Sequence, residues 1–191
     1  MKSIKRIVVL LCMIVIAGCS DSGLCDRGKG TEFEIVTACA QKGFLIEQTQ
    51  LGRLYYKGDG VKKDYKKAVL WFTKAAEQGE VDAQYWLAEM YRKKEGECFS
   101  NCDYLAAKWH RKAAEQGDTN AQIIIGDMYI RGVGVIQDKV LAHMWFNIAN
   151  IEDSYLAREK MDRIAKEMSP SQIEKAQDMA REWVAKHPPG Y

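Results

Sequence analysis

The string Lys74-Ala75-Ala76-Glu77-Gln78-Gly79 returns letter for letter as Lys112-Ala113-Ala114-Glu115-Gln116-Gly117, 38 residues downstream. A chain repeating at this period is built from stacked supersecondary units, each burying its apolar face only against its neighbours. Ala68, Trp71 and Ala75 recur as Ala106, Trp109 and Ala113, then as Ala142, Trp145 and Ala149, at intervals of 38 and 36. Within one unit, Ala68, Trp71, Phe72, Ala75 and Ala76 stand at i, i+3, i+4, i+7 and i+8, the apolar stripe of a helix that stops at Gly79. Ala83, Leu87, Met90 and Tyr91 mark the helix that follows. Small alanines let helices approach closely and the tryptophans fill the wider gaps. The pattern predicts an all-α protein of helical hairpins.

A second set of positions supplies the turns. Gly52, Tyr55, Gly58, Gly60 and Val61 reappear as Gly126, Tyr129, Gly132, Gly134 and Val135, and Asp64 and Asp138 are placed to cap the helices after them. Leu-Gly-x-x-Tyr, Gly-x-Gly-Val, Ala-x-x-Trp and Lys-Ala-Ala before a glycine together resemble the Sel-like repeat family, relatives of tetratricopeptide repeats, over roughly residues 32 to 168. That resemblance implies a right-handed α-solenoid of antiparallel helix pairs. It also implies a scaffold that binds proteins.

The spacing divides the chain into repeats at 44–79, 80–117 and 118–153. The middle one departs from its neighbours: Tyr91 to Ala106 spans 15 steps, against 13 from Tyr55 to Ala68 and from Tyr129 to Ala142. Its glycine turn is replaced by a longer loop holding Cys98 and Cys102. Thr31 with Glu34 reads as a capping box that opens a degenerate leading helix over 31–43. Residues 154–191 read as a closing pair of helices and a tail, with Ser154 to Met168 the first and a Ser169-Pro170-Ser171-Gln172 capping box starting the second.

Residues 1–18 carry Lys2, Lys5 and Arg6 ahead of an apolar run from Ile7 to Ile16, the pattern of a secretory signal too short to span a bilayer comfortably. Ile16-Ala17-Gly18-Cys19 resembles the bacterial lipobox, which implies lipidation of Cys19 and a tether over 19–30. Ser20, in place of the aspartate of the inner-membrane retention signal, favours the periplasm-facing leaflet of the outer membrane. Losing residues 1–18 removes three positive charges and turns the formal net charge from +2 to −1, which gives no indication of nucleic-acid binding. Cys25, Cys39, Cys98 and Cys102 remain, an even number suited to an oxidising compartment. Three pairings are open, and the local one, Cys25 with Cys39 and Cys98 with Cys102, is favoured. A metal site would need two further ligands that have no suitable spacing.

The three histidines, His110, His143 and His187, have no histidine or carboxylate at ligand spacing, and no serine lies in a nucleophile-elbow context. No cofactor is indicated. Some cysteine-rich relatives are penicillin-binding or β-lactamase-like, but this chain lacks their intra-repeat disulfide, so catalysis is the minor alternative. In helical solenoids the first helix of each unit lines the concave face. On it, Gln50, Trp86 and Ile124 are equivalent, as are Arg53, Glu89 and Asp127, and Lys57, Lys93 and Arg131. This gives an expected partner-binding stripe with an apolar centre and charged flanks. The competing expectation is that Trp86 and Ile124 pack into the core. The partner would be a periplasmic or envelope protein, or, in a sharper alternative, an antibacterial effector neutralised by an immunity lipoprotein. Replacing Cys19 with Ala is expected to abolish acyl-chain labelling and membrane retention; unchanged membrane fractionation would remove the predicted address.

Overall fold

The structure is a computed structural model that describes residues 31–187 apart from 97 and 99. The expected lipidation site Cys19, the signal segment and Cys25 lie outside the described residues. Among the described residues there are nine α-helices, one short 3-10 turn and no strand. They are α1 (Glu32–Gln41), α2 (Leu45–Lys57), α3 (Tyr65–Glu77), α4 (Val81–Arg92), α5 (Cys102–Glu115), α6 (Thr119–Arg131), α7 (Lys139–Ala149), α8 (Tyr155–Ala165) and α9 (Pro170–Lys186). The pairs α2 with α3, α4 with α5 and α6 with α7 form three hairpins, and each second helix packs on the first helix of the next unit.

Local chemistry sets the helix ends. Thr31 and Glu34 form a reciprocal capping box, as do Ser169 and Gln172 with Pro170 at the first helical position. Asp64 and Asp138 cap α3 and α7 through their side chains. Gly58 and Gly132 close α2 and α6 in the left-handed region, at φ of 78° and 65°, where a side chain would be strained.

Glycine also governs packing inside the hairpins. A Cβ on Gly52 would fall 2.7 Å from the Phe72 ring, and one on Gly126 would fall 2.5 Å from Phe146. The middle unit has Ala88 at this register, and opposite it the smaller His110 replaces phenylalanine. Both are wholly buried.

Between units, the fit is held by buried amides. Gln48, Gln84 and Gln122 on the first helices donate to the carbonyls of Ala40, Ala76 and Ala114 in the last turn of the preceding second helix, at 3.1, 3.2 and 3.1 Å. Gln78 and Gln116, from the repeated string, donate in turn to the side-chain oxygens of Gln48 and Gln84. A helix C-terminus leaves carbonyls without intrahelical partners, and burying one unpaired is costly.

Cys98 and Cys102 are joined by a disulfide, with Cα atoms 5.8 Å apart. Cys102 occupies the register of the capping residues Asp64 and Asp138, and the cap of α5, Asn101, makes no side-chain capping bond. The disulfide therefore fastens a helix start that its neighbours fasten by hydrogen bonding. Cys39 is also disulfide-bonded and almost completely buried.

The closing helices differ from expectation. The first of them, α8, ends at Ala165 instead of Met168 and buries only Ala157 and Ile164 within its length. The last, α9, packs mainly over α7 instead of pairing with α8. Ala176 and Ala180 are buried there, and Trp183 meets Trp145 edge-on at 6.1 Å. The reason is where the apolar surface lies: nearly all of α7 is buried or half-buried, whereas most of α8 is exposed.

Gly126→Ala is expected to cost about 1–3 kcal/mol by forcing a methyl into the Phe146 ring. Adding Phe146→His, which recreates the Ala88–His110 combination, is expected to recover part of that loss. Urea denaturation of the two single variants and the double variant measures the coupling, and strict additivity would contradict the packing argument.

Candidate partner-binding face

The first helices bring part of the expected stripe together. Gln50 and Arg53 lie on α2 beside a cleft of about 510 Å³ that reaches Ile46 and Lys57 on the same helix and Glu80 and Asp82 at the start of α4. The Arg53 guanidinium carbon lies 5.5 Å from the Trp86 ring centroid, so the charge is held over an aromatic face. Gln50 donates to Glu32 of α1 at 3.0 Å. Lys93 donates to the Tyr56 hydroxyl at 3.0 Å, which is the main reason its pKa is raised.

Four expected contact residues have duties inside the fold: Trp86 and Ile124 follow the competing expectation of core packing, and Glu89 and Asp127 are corrected from outward positions to ion-paired ones. Trp86 is half-buried, parallel to Phe72 at 6.1 Å and within 5.4 Å of Tyr56. Ile124 is half-buried against the core of the third unit. Asp127 receives both of its bonds from Lys160 of α8, at 2.9 and 2.8 Å. Glu89 is 8% exposed and is gripped by Arg92, whose Nε and Nη2 donate at 2.7 and 2.6 Å. Helical periodicity places all four on one face of their helices. It does not say that the next helix in the stack comes close enough to cover that face. Arg131 is exposed and has no ion-pair partner among the described residues, and the same holds for Arg53 and Lys57.

Glu89 is the electrostatic centre of the middle unit. Burial alone would raise its pKa, but the hydrogen bonds and positive charge of Arg92, with the approach of His110, outweigh it and hold the carboxyl at about 2. His110 Nε2 stands 3.4 Å from Glu89 Oε1, an ion-pair distance without hydrogen-bond geometry, and Tyr85 meets the imidazole edge-on. The histidine therefore has a carboxylate neighbour in space, although none stands at ligand spacing in the sequence. The two lie on different helices 21 residues apart, a separation that no ligand-spacing rule tests. Among the described residues no group of three or more histidine, cysteine or acidic side chains is arranged to hold a metal ion.

Sequence reasoning missed six members of the cleft, Ile46, Thr49, Leu54, Asp59, Glu80 and Asp82. Of these, Ile46 and Asp82 share one register of the repeat, a turn before Gln50 and Trp86, and Ile46 is 73% exposed. The alignment that found the stripe contained both.

An all-α stack with a charged first-helix face is the architecture of a protein-interaction scaffold. The Sel1 repeat family matches residues 48–80, 81–118 and 119–150, more than half of the chain, and the chain belongs to that family. Among solved structures, it is similar to a protective antigen present in uropathogenic Escherichia coli strains that displays an SLR fold, with 32% identity and a TM-score of 0.75 over 92% of this chain and 40% of that one. It is also similar to a Sel1 repeat protein from Oxalobacter formigenes, with 30% identity and a TM-score of 0.59 over 67% of this chain and 95% of that one. An ERAD-associated E3 ubiquitin-protein ligase component, HRD3A of Arabidopsis thaliana, is 37% identical over 73 residues, 37% of this chain and 11% of the plant protein. This chain thus spans less than half of both the antigen and the plant protein.

Because Glu89 titrates at about 2 instead of the usual 4.5, its contribution to stability is present above 4.5 and lost as the pH falls through about 2. Glu89→Gln is expected to cost about 1–3 kcal/mol at neutral pH. The gap to the parent should close across that acid window when both are denatured in urea at stepped pH. His143, whose burial lowers its pKa, destabilises both forms alike as it takes up a proton. A gap independent of pH would refute the assignment.

Proposed function

We propose that this protein is a non-catalytic scaffold, anchored by a lipid on Cys19 in the periplasm-facing leaflet of the outer membrane, that holds a protein partner along the first-helix face. The observation that carries this reading is the cleft beside α2, where Arg53 and Lys57 stand exposed beside Gln50 and the exposed side chain of Ile46. An exposed apolar residue ringed by polar and charged groups is how protein interfaces are commonly built. The envelope location is supported by the lipobox-like Ala17-Gly18-Cys19 and by the even count of cysteines after it.

Trp86 serves as an anchor only through its outer edge, because the rest of the ring is part of the core. A Trp86→Ala variant would confuse lost binding with lost packing, so the test uses exposed residues. Affinity capture from the native envelope should retain a partner on the parent protein and about tenfold less of it on the Arg53→Glu, Lys57→Glu double variant, with helicity unchanged by circular dichroism. Equal retention by both would dismiss the first-helix face as the binding surface. If the partner captured is an antibacterial effector, the scaffold is an immunity lipoprotein.

A further inference from the structure

The second helices present a surface of different character. In register, Lys66, Leu70 and Lys74 of α3 correspond to Tyr104, Lys108 and Lys112 of α5, and to Val140, Met144 and Ile148 of α7. On α7 this row is apolar and shielded, with Met144 and Ile148 only 7% and 3% exposed, and α9 packs on the same helix. On α3 and α5 no described helix takes the place of α9, and the row is open and cationic. Lys66, Lys67, Lys74, Lys108, Arg111 and Lys112 are all exposed, against Glu77 and Glu115 in the last turns; of the six, Lys67 lies 3.8 Å from Asp64 and Arg111 donates to the Tyr129 hydroxyl. Lys74 rides 4.3 Å from the Trp71 ring centroid and Lys112 4.6 Å from that of Trp109, positions that fix the charges without neutralising them. After loss of residues 1–18 the chain carries a net charge of only −1, so this concentration of cations is local to one face.

Apolar side chains project between the cations. Leu70 is 51% exposed, Tyr104 60% and Ile136 90%. Ile136 follows Val135, which with Tyr104, Lys108 and Lys112 lines a cleft of about 220 Å³ where the turn of the third unit meets the start of α5. No packing requirement of the fold explains an isoleucine at that exposure.

We propose that this second-helix face rests on an anionic phospholipid surface, its lysines against headgroup phosphates and Leu70, Tyr104 and Ile136 in the interfacial layer. Five of the six cations are lysines, a residue depleted at protein interfaces and suited to diffuse attraction toward an anionic bilayer. Isolated aliphatic side chains among them match an interfacial layer, whereas nucleic acid would favour stacking aromatics and arginines. The contact is independent of the partner reading, and it would turn the first-helix face away from the bilayer.

The test is lysine labelling of the full chain with a membrane-impermeant acylating reagent, read residue by residue by mass spectrometry. The vesicles are phosphatidylcholine alone or phosphatidylcholine with phosphatidylglycerol. Lys74, Lys108 and Lys112 are expected to react roughly fivefold or more slowly on the anionic vesicles. Lys57 and Lys93 should keep their rates, and high salt should remove the protection. Equal rates on both vesicles, or equal protection of both faces, would overturn the proposal. Protection by soluble polyglutamate but not by the anionic vesicles would overturn it in favour of an acidic protein. A Leu70→Ser, Ile136→Ser variant, changed only at exposed sites, should lose part of the protection; full protection would refute the role of the apolar side chains.

Discussion

Everything in this molecule depends on how the last turn of one second helix meets the first helix of the next unit. The contact is close because alanines such as Ala76 and Ala114 line it, and closeness excludes water from carbonyls that the helix cannot satisfy internally. Gln84 and Gln122 answer those carbonyls from the neighbouring unit. Each such amide is a small net gain when formed and a large loss when left unmade, so it acts more as a condition on alignment than as a source of stability. The cleft beside α2 and the row of cations on α3 and α5 inherit their spacing from this junction.

The middle unit keeps the junction and alters nearly everything else. Phenylalanine becomes His110, glycine becomes Ala88, the capping aspartate becomes Cys102, and the glycine turn becomes the disulfide loop. The Ala88 methyl occupies space that the neighbouring units give to a ring edge, so the smaller imidazole fits where phenylalanine would clash. The imidazole lies 3.4 Å from the carboxylate of Glu89 on the adjacent hairpin helix, which Arg92 grips in turn, so the buried ring has a charged neighbour without a hydrogen bond. The result is a unit whose interior carries charge beneath the centre of the first-helix face, with Trp86 and Tyr85 above it.

Most of the fold was legible in the sequence because its determinants are local. Thr31 with Glu34, Ser169 with Gln172, Asp64 and Asp138 act within three residues of themselves, and Gly58 and Gly132 act on their own backbone. The repeat itself gave the pairing of helices, since each unit can pack in one way. What the sequence did not disclose depends on the rotation and offset of one helix against another. Periodicity placed Glu89 and Asp127 outward and left Trp86 and Ile124 open between face and core, but Asp127 reaches Lys160 across 33 residues and Glu89 meets His110 across 21. The role of Gln78 and Gln116 stood in plain sight, in the very string that revealed the repeat, yet a conserved letter between copies does not say which carbonyl it serves.

The position of α9 over α7 has a consequence for how such an array can lengthen. A further unit stacked after the third would need the outer row of α7 to be solvent-facing and the end of the stack to be open. Instead Val140, Met144 and Ile148 are apolar and α9 closes over that helix. A hairpin copied ahead of α7 would leave this closure in place and add one more stretch of open second-helix surface.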